Sequence, residues 1–274
     1  MTMPIQRILQ THRALPLLLT LALSLSGCVN LGYSKRSAGQ YYDVSFESDE
    51  NLPVETRNAR RALNRDLALD KNPPKVQQVV ERYDESVRTR LKRDFKLAGL
   101  PYPSARLALL GFKKERRLEL WGADGDGPMK YIKKYPFTAF SGDLGPKRRQ
   151  GDKQIPEGIY RITFLNPNSA YHLSMKLDYP NAFDRAMADL ERRGHLGGDI
   201  FIHGDSESVG CIALGDRAIE ELFVLTAWAG MENVQVIVAP YDLRRDKEIR
   251  AQDHIPWTRE LYARLQDSLA SFRE

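Results

Sequence analysis

Cysteine is almost missing from this chain. Of 274 residues only Cys28 and Cys211 carry a thiol, which excludes a disulfide framework and, with no close pair of histidines, a zinc set. Long hydrophobic runs are scarce too. The longest, residues 14–25, is broken by Pro16 and Thr20 and falls short of the roughly 20 apolar residues that a membrane-spanning helix needs. Charge of either sign is not in large excess: 41 Lys and Arg against 36 Asp and Glu give +5, too little to argue for a nucleic-acid partner. Internal repeats are absent. What is present, 42% hydrophobic residues, suffices for a full core and excludes a wholly disordered chain.

The N-terminus reads as an export signal, since Arg7 and Arg13 precede an apolar stretch that ends in small residues. Leu25-Ser26-Gly27-Cys28 resembles a bacterial lipobox, which implies removal of residues 1–27 and lipidation of Cys28. Losing Arg7 and Arg13 lowers the formal charge from +5 to +3. Each buried CH₂ contributes about 0.8 kcal/mol, so a stable anchor takes more than one acyl chain. Val29, where an Asp would mark inner-membrane retention, points to the periplasmic face of the outer membrane, its inner leaflet. Residues 28–52 are small and polar and read as a tether, about 27 Å long on average and up to about 80 Å when extended. The mature chain then keeps one thiol, Cys211, in an oxidising compartment.

Residues 53–100 form a charged segment with helices expected at 56–69 and 75–97, separated by Asn72-Pro73-Pro74. Val80, Tyr83, Val87, Leu91 and Phe95 recur at helical spacing and form an apolar stripe that would dock on a core. Residues 101–245 change texture to short strand-like runs, expected at 107–112, 117–121, 137–140, 159–164, 172–179, 199–203 and 234–238. Helices are expected at 181–193, 216–228 and, in a C-terminal segment from 246 to 274, at 257–271. The Gly122–Gly127 loop resembles a calcium loop only superficially, because the later Glu is missing. The fold class is β-rich α+β with peripheral helices.

Chemistry concentrates in Asp199-Ile-Phe-Ile-His203-Gly204-Asp-Ser-Glu-Ser208-Val-Gly210-Cys211. A His at the end of an apolar strand, followed by a polar loop and Gly-Cys before a helix, suits nucleophilic catalysis, since an imidazole within reach can take a thiol proton. Gly210 permits close backbone approach, and the Cys211 N–H could face an oxyanion. Taken alone, these residues fit either a Cys/His acyl-transfer site or a structural His beside an inert thiol.

The His203-Gly204 and Ser208-Val-Gly210-Cys211 pattern resembles the signature of the L,D-transpeptidase family, the YkuD-type catalytic domain. Gly145-Pro146-Lys147, Gly151-Asp152 and Pro156-Glu157-Gly158-Ile159-Tyr160 are similar to the segment before that family's central strands. Asn166-Pro167-Asn168-Ser169, His172-Leu173-Ser174 and Tyr179-Pro180-Asn181 resemble a branch often called YafK-like. The match covers roughly residues 107–240. The resemblance implies the family's fold, Cys211 as nucleophile and His203 as base. It also implies Gly210 and Ser208 as oxyanion or loop residues, and His172 and Gly204 at the substrate. It implies no cofactor and no metal.

The implied substrates are peptidoglycan stem peptides attacked at diaminopimelate, with a wall-attached envelope lipoprotein as a further partner, and no nucleic acid. Two departures stand out: only seven residues separate His203 from Cys211, and Ala213 stands where many members carry a polar residue. They favour hydrolysis of the thioester slightly over transpeptidation. A non-catalytic wall-tethering lipoprotein is the rival from another class.

Overall fold

The computed structural model describes residues 73–245 and 250–273. The leader, Cys28, the tether and the helix expected at 56–69 lie outside the described residues. Among these, no helix is long and apolar enough to cross a membrane.

Helix α1 (Pro73–Ala98) opens on the two prolines, where the missing N–H costs nothing because first-turn donors have no intrahelical partner. Its stripe buries Val87, Leu91 and Phe95, with Val76, Val79 and Tyr83 packed partly against the same core. Val79 thus takes the place expected of Val80.

Eight strands follow: β1 (Arg106–Phe112), β2 (Arg117–Ala123), β3 (Lys130–Pro136), β4 (Gly158–Ser169), β5 (His172–Leu177), β6 (Phe201–His203), β7 (Ile212–Ala213) and β8 (Val234–Ala239). Helices α2 (Ala182–Leu190), α3 (Asp216–Ala229) and α4 (Thr258–Leu269) complete the chain. The strands form one sheet in the order β3-β2-β1-β8-β4-β5-β6-β7. β1 and β8 run parallel, with Leu109 beside Val236, and β8 pairs antiparallel with β4 on its other side.

Both faces of the central strands are covered, which is why β1 and β8 read as near-continuous apolar runs. Leu107, Leu109, Val236 and Val238 face the core shared with α1 and α3. Ala108, Leu110, Phe112, Ile237 and Ala239 face Leu261, Tyr262, Leu265 and Leu269 of α4. The C-terminal helix is therefore part of the core.

Three strand expectations need correction. The strand expected at 137–140 is displaced: pairing runs over Lys130–Pro136, and residues 137–140 contribute only an isolated bridge from Ala139 to Ala213. The cause is the edge position of β3, which buries Ile132 and Tyr135 while Lys130 and Lys134 are exposed, a common protection of an open edge. β4 extends past 164 to Ser169, with a register shift between Asn166 and Ser169 that accommodates Pro167. Cys211 is followed by the short strand β7, which was not expected, before the helix begins at Asp216 as expected.

Candidate active site

β6 and β7 bring the candidate residues together. Ile202 pairs with Ile212 and His203 with Ala213 in parallel register, so Cys211 falls beside Phe201, one position before β7. The Phe201 N–H donates to the Cys211 Sγ at 3.4 Å. Side chains alternate across a strand, so Cys211 and His203 emerge on the same face of neighbouring strands.

His203 is 2% exposed. Its Nδ1 lies 2.7 Å from the Gly204 carbonyl oxygen, and since a carbonyl only accepts, Nδ1 carries the proton and Nε2 the lone pair. Burial holds the imidazole below its ordinary pKa, against the opposing pull of that carbonyl and of Asp205. Burial pushes the Cys211 thiol up; the Phe201 N–H and Lys147 pull it down, and Asp199 adds to the rise. The resting pair is therefore neutral thiol and neutral imidazole. The Sγ also reaches the Asp199 carbonyl at 3.8 Å, and among the described residues no hydrogen bond joins it to the His203 ring. Proton transfer requires sulfur and ring to close up, as free enzymes often leave to the substrate complex.

The loop before Cys211 is held by two serines. The Gly210 N–H donates to Ser141 Oγ at 2.7 Å, and Ser208 Oγ donates to the Cys211 carbonyl at 2.7 Å. The hydroxyls of Ser141 and Ser208 lie 3.0 Å apart; because Ser208 spends its proton on Cys211, Ser141 is the donor between them. Gly210 has φ +101°, and a Cβ there would stand 3.2 Å from the Gln154 carbonyl oxygen, so only glycine fits without strain. Gly204 is equally confined, its absent Cβ 2.8 Å from the Tyr171 carbonyl oxygen.

His172 begins β5 and turns toward the helices: Nε2 lies 3.1 Å from Glu220 Oε1, and the ring meets Tyr83 of α1 edge-on at 5.9 Å. Its neighbour Tyr171, 39% exposed, lies over His203 with ring centroids 4.6 Å apart. Ser141 and Tyr171 were invisible in the sequence. Ser141 meets Gly210 across 69 residues, and Tyr171 sits in a hairpin whose bulged register no local pattern encodes. His195 and His254 are both exposed. Among the described residues no group of three or more His, Cys, Asp or Glu is placed to hold a metal ion.

Comparison with known proteins shows what this region is similar to. Residues 111–238 match the family model YkuD, the L,D-transpeptidase catalytic domain. YafK of Escherichia coli strain K12, whose name assigns it provisionally to the L,D-transpeptidases, is 38% identical over 135 residues, covering 47% of this chain and 52% of that protein. YafK of E. coli O157:H7 gives the same figures, so the chain spans about half the length of the curated relatives it matches. Among solved structures, the helical cell shape determining protein Pgp2 from Campylobacter jejuni aligns with a TM-score of 0.42 and 22% identity over 60% of this chain and 54% of that one. Bd1075 of Bdellovibrio bacteriovorus aligns with a TM-score of 0.36 and 20% identity over 61% and 55%. Residues 111–238, which hold most of the sheet and the His203–Cys211 loop, are thus similar to the YkuD-type L,D-transpeptidase catalytic domain.

Proposed function

We propose that the protein carries out cysteine-dependent acyl transfer on peptidoglycan stem peptides at a diaminopimelate carbonyl. The carrying observation is the placement of Cys211 and His203 on one sheet face, with Nδ1 of the imidazole committed to Gly204 and Nε2 free to act as base. The Cys211 Sγ bonds to the carbonyl carbon as its proton passes to His203 Nε2. The C–N bond breaks, the amine leaves with that proton, and a thioester remains. Water, deprotonated by His203, then attacks the thioester, the C–S bond breaks and the thiol takes the proton back.

Hydrolysis is favoured over transfer to a second stem peptide by the seven-residue span from His203 to Cys211 and by Ala213, which is fully buried and offers no group to orient an incoming amine. The leaving amine is then a crosslinking stem peptide or a lysine of an attached envelope lipoprotein. The second reading, transpeptidation, is favoured by the name of the E. coli relatives. The anchor belongs to the same proposal: lipidated Cys28 would hold the enzyme in the periplasm at the inner leaflet of the outer membrane.

Sacculi carrying covalently attached protein, beside sacculi stripped of it, test the reading. Muropeptide mass spectrometry should find tripeptides freed from lysine with the wild-type protein and none with Cys211→Ala. New diaminopimelate-to-diaminopimelate crosslinks without release would instead make it a transpeptidase. Replacement of Cys28 by Ala should release the protein from membranes; full retention overturns the anchor.

A further inference from the structure

Beside the Cys211 loop lies an open cleft of about 650 Å³ lined by Leu144, Pro146, Arg148, Arg149, Arg193 and His254. This volume is within the range of small-ligand and peptide sites. The cleft adjoins the loop that holds the nucleophile. Gln154, which lines it, presents its carbonyl to Gly210, and Lys147, just behind the cleft wall, is near enough for its charge to act on the Cys211 thiol.

The charges of this cleft are unevenly spent. Asp152 is consumed by Lys147 at 2.6 Å and by the backbone N–H groups of Arg148, Arg149 and Gln154. Glu191 is consumed by Arg148 at 2.9 Å and by Arg193. Three donors are left over. Arg148 Nε is buried without a hydrogen-bond partner, and among the described residues the side chains of Arg149 and His254 form no ion pair or hydrogen bond. A buried donor without a partner costs about 1–3 kcal/mol, and a bound carboxylate would supply it. The apolar lip at Leu144, 37% exposed, suits a peptide rather than a small inorganic ion.

We propose that this cleft is a subsite for the free carboxylates of the acyl-donor peptide, with Arg149 and His254 as its main contacts. The inference rests on the acyl-transfer reading above and adds to it how an acidic peptide is held beside Cys211. Arginine is suited to the task because its planar fork meets a carboxylate with two parallel hydrogen bonds.

The test uses the full chain carrying Cys211→Ala, titrated calorimetrically with a tripeptide ending in diaminopimelate and with the same peptide amidated at its carboxylates. The free acid should bind at least about 10-fold more tightly than the amide, a preference within reach of one charged hydrogen-bonded contact. Adding Arg149→Ala and His254→Ala should abolish that preference without lowering the melting temperature. In the Cys211 background the same pair should raise KM, and spare kcat, for a stem peptide whose diaminopimelate carbonyl is still bonded to a leaving amine and whose other carboxylates are free. Equal preference in the substituted protein overturns the subsite, as does failure of the free acid to bind. Tight, acid-selective binding by a wild-type protein that turns nothing over would uphold the subsite and refute the acyl-transfer reading alone.

Discussion

Lys113→Met is the substitution whose cost can be worked out most fully. The Lys113 ammonium is wholly buried, 2.9 Å from Glu157 Oε1, and donates to the carbonyls of Gly145 at 2.7 Å and Ile155 at 3.0 Å. Glu157 accepts in turn from the Gly145 N–H at 2.7 Å and the Tyr262 hydroxyl at 2.8 Å. Methionine fills similar volume but strands the Glu157 charge, and breaking a buried pair from one side costs about 3–5 kcal/mol. Against a typical domain stability of about 5–15 kcal/mol, that is about a fifth of the whole or more. Removing both charges often restores stability in other proteins. Here a Lys113→Met, Glu157→Met double variant would leave two carbonyls, one N–H and one hydroxyl without these partners, at about 1–3 kcal/mol each, so no recovery is expected. Urea unfolding followed by tryptophan fluorescence and far-ultraviolet dichroism, with coincident transitions, measures both variants. A loss below about 1 kcal/mol for Lys113→Met, or a double variant more stable than wild type, would refute the reasoning.

Because burial lowers the His203 pKa and raises that of Cys211, turnover should stay level from about pH 7 to 8 and fall on the acid side, below the ordinary histidine value of about 6.5. Iodoacetamide alkylation should climb only above the ordinary thiol range; rapid alkylation at pH 6 would mean a thiolate–imidazolium pair. The same depressed His203 pKa contributes stability that is full above the unfolded value of about 6.5 and is lost as pH falls through the folded value, which melting temperatures across that range check. Ser141→Ala removes the acceptor of the Gly210 N–H and the donor to Ser208; kcat should drop about 10- to 100-fold with a stability loss of about 1–3 kcal/mol, and unchanged kcat would deny the clamp a role. Tyr171→Ala opens His203 to water, so its pKa, followed by NMR titration, should rise toward the ordinary value.

The sequence carried the helices well because their apolar periodicity is local. Asp216–Ala229 and Thr258–Leu269 fall within one or two residues of expectation. The central strands were equally legible, since burial on both faces makes them unbroken apolar runs. β3 was not, because an edge strand hides its two buried residues among lysines. The candidate pair Cys211 and His203 was visible through its motif, yet the motif does not encode the sulfur's backbone partners, Phe201 and Asp199. Those follow from a two-residue strand whose pairing depends on β6. Ser141, Tyr171 and the arginine-lined wall of the neighbouring cleft depend on segments distant in sequence, where no local rule applies.

The place of β8 in the sheet dictates an order of assembly. Among the described residues, strands β3, β2 and β1 on one side and β4 to β7 on the other pair into one sheet through β8, the last of the named strands in chain order, with the isolated Ala139–Ala213 bridge as a minor second link. Until residues 234–239 are made, the two parts of the sheet have no shared strand, and the β1 backbone keeps an unpaired edge. Such late, long-range closure is slow and leaves the chain open for longer. A truncation before Val234 should therefore leave β1 and β4 without the strand that pairs with both, even though every residue of β1 to β7 would still be present.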